Sequence, residues 1–365
     1  MKVSSVGSGD IPQKKSTPGS YEWWYFDAGD DKGAYHFVVI FYEGCPFSPR
    51  YMSSVKKRPH HPDALASQHP AVSISVYHHG KPVFYSFTQY SPFDAEFNHH
   101  KVKVRIGNHS LEAFEEAEQI AYSLRLDEIL PDGTKFNAIL RFTSPPQNPA
   151  LFMDEPASPS DSHAWNLTQA AAKVKGVISI SRDGRKEKPI VFEGTGYHDH
   201  NVGSEPLRNQ FTEWYWGRVH FNEGTFVYYL MEEKGVKTWN AWWIRVDNAR
   251  IEAKAEGIRT DATLRNAFGL AADTRFTFTF PERTVELVMR STVDSGPFYY
   301  RFLSDATTHD RDGELLERTN GISEFIHAER ITWRRFWPFV KMRLRYADKR
   351  PNLVQRFRFL YKLTW

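Results

Sequence analysis

Apolar and polar residues alternate with a period of two over most of the chain. In "AVSISVYHHGKPVFYSF", Val72, Ile74 and Val76 share one face, the chain turns at Gly80 to Pro82, and Val83 and Tyr85 resume the alternation, which reads as a β-hairpin. "KVKVRIG", "AYSLRLDEILPDGTKFNAILRFT", "WYWGRVHFNEGTFVYYLMEE", "TWNAWWIRV" and "TRFTFTFPERTVELVMR" repeat the device. Only "PDALASQHP", "HSLEAFEEAEQI" and "TDATLRNAFGL" read at the helical period. They are short and lack the regular strand–helix alternation of a parallel sheet. The pattern predicts an all-β chain of antiparallel strands, which hide their edges by closing into barrels or barrel-like sandwiches. The rhythm of turns gives a disordered start over residues 1–20, an N-terminal β domain over 21–190 and a C-terminal β domain over 191–365.

Near the C-terminus, Val340, Met342, Leu344 and Tyr346 alternate with Lys341, Arg343 and Arg345, as in a barrel strand with a wet outer face. The whole segment "RRFWPFVKMRLRYADKRPNLVQRFRFLYKLTW" mixes cations with aromatics and holds one acid, Asp348. That composition admits peripheral contact with an anionic membrane.

Composition adds three points. Aromatic residues make up 15% of the chain, enough to line a deep apolar pocket as well as to fill a core. A net charge of +3 gives no field that would select nucleic acid. The single Cys45 excludes an internal disulfide framework and fits a reducing compartment. With no signal-peptide core at the start and no long apolar run, the expected location is cytoplasmic. No heptad or exposed apolar stripe speaks for an oligomer.

Two stretches carry candidate chemistry. In "GTGYHDHNVGSEPL", residues 194–207, Gly194, Gly196, Gly203 and Pro206 bracket Tyr197, His198, Asp199, His200 and Asn201, and they read as tight turns around a loop of titratable groups. In "SYEWWYFDA", Glu22, Trp24 and Phe26 share one face of an extended strand, and Tyr21, Trp23 and Tyr25 the other. Such a strand is buried on both sides or lines a cavity. His198 and His200 invite a metal reading, but no spaced third and fourth ligand is evident and none is expected.

"EWWYF", "GCPFSPRY", "HAW" at 163–165, "GYHDHNVGSEPL" and "WYWGR" at 214–218 together resemble the carotenoid 1,2-hydratase (hydroxyneurosporene synthase) superfamily. That group also includes AttH-like lipocalin-type proteins and fungal decalin-forming Diels–Alderases. The resemblance implies two lipocalin-like antiparallel β domains, few short helices, a pocket for a hydrophobic small molecule, and neither metal nor organic cofactor. It assigns the acid chemistry to Asp199 with Tyr197, assisted by His163 and Trp165. The aromatic strand, "WYWGR" and the rest of the bracketed stretch make Trp23, Trp24, Tyr25, Trp214, Trp216, His198 and Asn201 the residues expected around the substrate.

Protonating an unactivated double bond needs an acid, and an aspartate has ordinarily lost its proton at neutral pH. Burial in an apolar pocket disfavours the charged form and can keep the proton on Asp199. The rings of Trp165 and Tyr197 can stabilise the cation that follows, and His163 can act as base toward water or a neighbouring proton. The products are then those of hydration, cyclisation or isomerisation. Two other readings stay open. In one, a pericyclase folds a linear polyene for cycloaddition by proximity; in the other, a lipocalin-like carrier releases its ligand unaltered. Asp199 can also simply cap backbone amides in a tight loop.

Overall fold

The structure, a computed structural model, describes the chain apart from residues 6, 117, 147, 149–150, 153–161, 183–184, 187, 246–250 and 365. It divides into two compact units, residues 1–206 with 337–365 and residues 207–336.

The first unit is built on one long sheet. Its strands are β1 (Lys2–Ser4), β2 (Tyr21–Asp30), β3 (Tyr35–Glu43), β4 (Ala71–His78), β5 (Lys81–Gln89), β6 (Ala95–Phe97), β7 (Lys103–Ile106), β8 (His109–Glu116), β9 (Gln119–Ile129), β10 (Lys135–Ser144), β11 (His163–Arg182), β12 (Arg185–Lys186) and β13 (Ile190–Gly203). The antiparallel order along the sheet is β5-β4-β3-β2-β13-β11-β10-β9-β8-β7-β6, so that β2 lies between β3 and β13 and β13 between β2 and β11, while β1 and β12 pair with β11 off this path. The aromatic strand β2 is therefore central and hydrogen-bonded along both edges. It is buried on both faces from Tyr21 to Ala28. In "GCPFSPRY", Gly44 takes the left-handed conformation at φ 74°, open to glycine. Ser48 then caps the helix α1 (Pro49–Lys57) by accepting from the Tyr51 amide, as short hydroxyl side chains do at a helix start.

The second unit is a second antiparallel sheet of β14 (Phe211–His220), β15 (Gly224–Glu233), β16 (Val236–Arg245), β17 (Ile251–Lys254), β18 (Gly257–Arg265), β19 (Ala271–Thr279), β20 (Thr284–Ser295), β21 (Tyr299–His309) and β22 (Leu315–His327), preceded by the short helix α2 (Leu207–Gln210). Its core is itself aromatic: Tyr215, Phe226, Tyr228, Trp243, Phe276, Phe278, Phe302 and Phe325 pack together. Much of the aromatic content thus fills a core, and edge-on contacts such as Phe226 with Phe278, centroids 4.7 Å apart, supply the ring geometry that aromatic pairs prefer.

Several expectations are corrected. The start of the chain is ordered: β1 runs parallel to β11 with Val3 opposite Trp165, and Asp10 is buried. The division falls after Pro206 rather than at 190, because β13 belongs to the first sheet through pairing on both edges. The last residues return to the first unit. Residues 340–346 form no barrel strand; helix α3 (Trp337–Arg343) precedes a two-residue strand β23 (Arg345–Tyr346) that pairs with β5. "HSLEAFEEAEQI" and "TDATLRNAFGL" are mainly strand, in β8–β9 and β18, since pairing with neighbours overrides a weak helical preference. "PDALASQHP" does turn helically, as two 3₁₀ turns.

Candidate active site

The cluster of titratable residues lies on a strand, not in a loop. Gly194, Gly196 and Gly203 are extended positions of β13 where the neighbouring chain comes too close for a side chain. A Cβ on Gly194 would lie 2.0 Å from the Gly29 carbonyl oxygen, and one on Gly203 would lie 2.0 Å from the Tyr21 ring. Glycine in a strand interior often marks such close approaches.

Alternation along β13 then sorts its side chains. Tyr197, Asp199 and Asn201 face one side, and His198 and His200 the other. The register brings Asp199 opposite Tyr25 and Asn201 opposite Trp23 on β2, and Asn201 opposite Trp165 on β11. One face of three adjacent strands therefore holds His163, Trp165, Tyr197, Asp199, Asn201, Trp23 and Tyr25.

Asp199 is buried and is the hub of this face. Its Oδ2 accepts from the Trp165 indole N–H and from the Tyr197 hydroxyl, both at 2.8 Å, and its Oδ1 accepts from the Asn201 amide at 3.0 Å. The indole and the amide can only donate here, whereas the phenol can turn and accept. The same atoms therefore accommodate either a carboxylate or an acid whose Oδ2–H donates to Tyr197. His163 stands beside them, its Nδ1 at 2.8 Å from the Tyr21 hydroxyl. Burial pushes its imidazole down from 6.5 to about 3, against an upward pull from the Asn201 side chain. It is neutral across the physiological range. Rings close the cluster: Tyr21 stacks on Trp23 at 5.1 Å, Trp23 lies 5.9 Å from His163, Tyr25 meets Tyr197 edge-on at 6.3 Å, and Phe152 lies 5.8 Å from Trp165.

The opposite face does different work. His198 turns Nδ1 to the Tyr25 carbonyl at 2.9 Å and Nε2 to Asp10 at 3.1 Å. His200 turns Nδ1 to the Gly9 carbonyl at 2.7 Å and Nε2 to Glu22 at 2.8 Å. Burial alone would lower the His200 pKa, but the hydrogen bond and charge of Glu22 outweigh it and raise it. Burial would raise Asp10, but His198 outweighs it and lowers it. Tyr122 and Thr168 also donate to Asp10, the Trp24 indole donates to the Asp10 carbonyl, and Lys15 pairs with Glu22 and Glu43. His198 and Trp24, expected around the substrate, thus clamp the N-terminal segment on the side of the sheet away from Asp199. Trp24 lies stacked on His200 at 4.8 Å. Among the described residues, no group of three His, Cys, Asp or Glu is arranged to hold a metal ion.

Trp214 and Trp216 lie in the second unit, on β14. In that unit Glu324 pairs with Arg301 at 2.8 Å. Among the members of the first unit's network that escaped the sequence reading are Tyr21 and Asp10. Tyr21 had a visible signal, since it shares a strand face with Trp23 and Tyr25. Asp10 had none, being a lone acid in a polar stretch.

Fold and site together define a lipocalin-like all-β protein with a buried aspartate on a ring-lined sheet face. The profile of the carotenoid hydratase CrtC family matches residues 39–351, and the chain belongs to that family. It is 25% identical to the hydroxyneurosporene dehydrogenase of Chlorobaculum tepidum across 98% of this chain and 96% of that protein. It is 28% identical to the acyclic carotenoid 1,2-hydratase of Thiocapsa roseopersicina over 58% of this chain and 48% of the hydratase. Among solved structures, AttH of Nitrosomonas europaea superposes with a TM-score of 0.57 at 15% identity, covering 87% of this chain and 98% of that one. CghA crystallised with Sch210972 superposes with a TM-score of 0.55 at 14% identity, covering 87% and 95%. These two likenesses concern the fold.

Proposed function

We propose that this chain adds water across a carbon–carbon double bond of a long acyclic polyene, with Asp199 as proton donor. The observation that carries the reading is the Trp165–Asp199–Tyr197 contact: a buried carboxyl group that accepts from an indole, an amide and a phenol, the last able to reverse its hydrogen bond. Asp199 gives its proton to one alkene carbon, and the other becomes a tertiary cation flanked by the rings of Trp165 and Tyr197, whose faces favour positive charge. Water bonds to the cation, and the proton it sheds returns to the Asp199 carboxylate. The carboxyl group thus ends as it began.

In this reading His163 takes no proton. Held neutral by burial, it meets the Tyr21 hydroxyl and lies beside the Trp23 ring, while Asn201 orients Oδ1 of Asp199. Trp23 and Tyr25 supply apolar surface beside the acid.

The test is turnover of an acyclic carotenoid by the purified chain and by Asp199→Asn, followed by chromatography and mass spectrometry. The expected result is a product one water heavier, formed about 10²- to 10⁴-fold more slowly by the variant, the range for loss of a general acid. Turnover that survives within a factor of a few removes Asp199 from the role.

A further inference from the structure

We infer that the C-terminal segment of the first unit, residues 337–365, docks on an anionic lipid surface. This stands apart from the chemistry at Asp199.

The first observation is charge. Residues 337–365 carry eight Lys and Arg against one Asp, so the remaining 336 residues, with 39 basic and 43 acidic side chains, are net acidic. The chain's near balance hides a strongly basic C-terminal segment. The one acid in the segment, Asp348, is itself ion-paired to Arg50 at 2.9 Å.

The second observation is what the segment shows to solvent. It contains α3 and two further short helices, α4 (Leu353–Arg356) and α5 (Arg358–Lys362). Phe339, Leu353, Phe357, Phe359 and Leu363 are 42%, 67%, 57%, 73% and 68% exposed, unusual for large apolar side chains grouped along one stretch. Lys341, Lys349, Arg350, Arg356 and Lys362 are exposed among them.

The third is that these side chains are not the end of a fraying tail. Val340, Leu344, Gln355 and Tyr361 turn inward and are buried. The Gln355 amide donates to the carbonyls of Lys341 and Leu344 at 3.0 and 3.2 Å, and the Tyr361 hydroxyl donates to the Arg343 carbonyl at 3.1 Å. Arg345 reaches the buried Glu128 at 3.3 Å. Asn352 and Gln355 complete a reciprocal cap at the start of α4. The segment is fastened through its buried side chains and exposes apolar side chains interleaved along the sequence with cations. Apolar side chains of this kind enter the acyl boundary while Lys and Arg stems reach the headgroups. Among the described residues no helix is long and apolar enough to cross a membrane, so the contact is peripheral.

The test is co-sedimentation of the full chain with vesicles of phosphatidylcholine alone and of phosphatidylcholine with phosphatidylglycerol. The expected result is binding to the anionic vesicles only, weakened by salt. Phe359→Ser with Leu363→Ser should weaken it by about tenfold or more. Lys349→Gln with Arg350→Gln should weaken it about 25-fold at low salt, from about fivefold per cation. All four positions are exposed, and an unchanged thermal midpoint certifies the fold of each pair. No binding to anionic vesicles, equal binding to both compositions, or binding undiminished in both pairs overturns the inference; the first of these would leave the face to a protein partner.

Discussion

The chemistry turns on three side chains that reach one carboxyl group. Removing Trp165 or Asn201 leaves an Asp199 oxygen short of a donor inside the protein, which costs about 1–3 kcal/mol where the group stays buried. Tyr197→Phe removes the one partner able to exchange roles with Asp199. Kinetics of this variant should therefore show a fall in kcat with little change in KM, whereas a purely packing role would move both or neither. Gly203→Ala tests the arrangement from further away. Its Cβ would press on the Tyr21 ring and so move the hydroxyl that meets His163. We expect about 1–3 kcal/mol lost from the denaturation free energy, as for overpacked interiors, together with reduced turnover. Of these residues, the Tyr–Asp and His–Trp pairs were legible as motifs. The glycines were legible only as glycines: sequence alone does not separate a turn from a strand position where another backbone passes at contact distance.

At the level of elements, period-two alternation found most strands because each buries one face, and that pattern is local. What escaped it depends on partners far along the chain. The N-terminal segment has no apolar rhythm and is ordered by His198, His200 and Glu22, some 190 residues away in the case of His198 and Asp10. Val340 and Leu344 fit a strand face and a helix face equally well, and the helix was settled by what packs beneath them. The N-terminal clamp is itself testable. Asp10→Ala strands His198, Tyr122 and Thr168 without their acceptor, and unfolding in denaturant should report a loss of about 3–5 kcal/mol, as when one member of a buried pair is removed. A loss near zero would mean the segment contributes nothing to the sheet beneath it.

For the molecule as a whole, the two faces of β13 make opposite demands on pH. His163 is lowered from 6.5 to about 3, so its contribution to stability is complete above 6.5 and drains away as the pH falls toward 3. His200 is raised, so its contribution is complete below 6.5 and is lost as the pH climbs through its folded value. Thermal midpoints should therefore fall on the acid side of about 6.5, with the acid limb shallower in His163→Gln. An unchanged acid limb in that variant would place the titration elsewhere.

The most direct test of the central claim is the fate of the transferred proton. An acyclic carotenoid is incubated with the chain in D₂O, and the product is examined by mass spectrometry and NMR. Protonation by Asp199 predicts a hydroxylated product with one deuterium bonded to carbon next to the new C–O bond, and its loss in Asp199→Asn. An isomer that carries no deuterium and forms equally well in the variant would contradict the acid mechanism and point to a pericyclic reaction in the same fold.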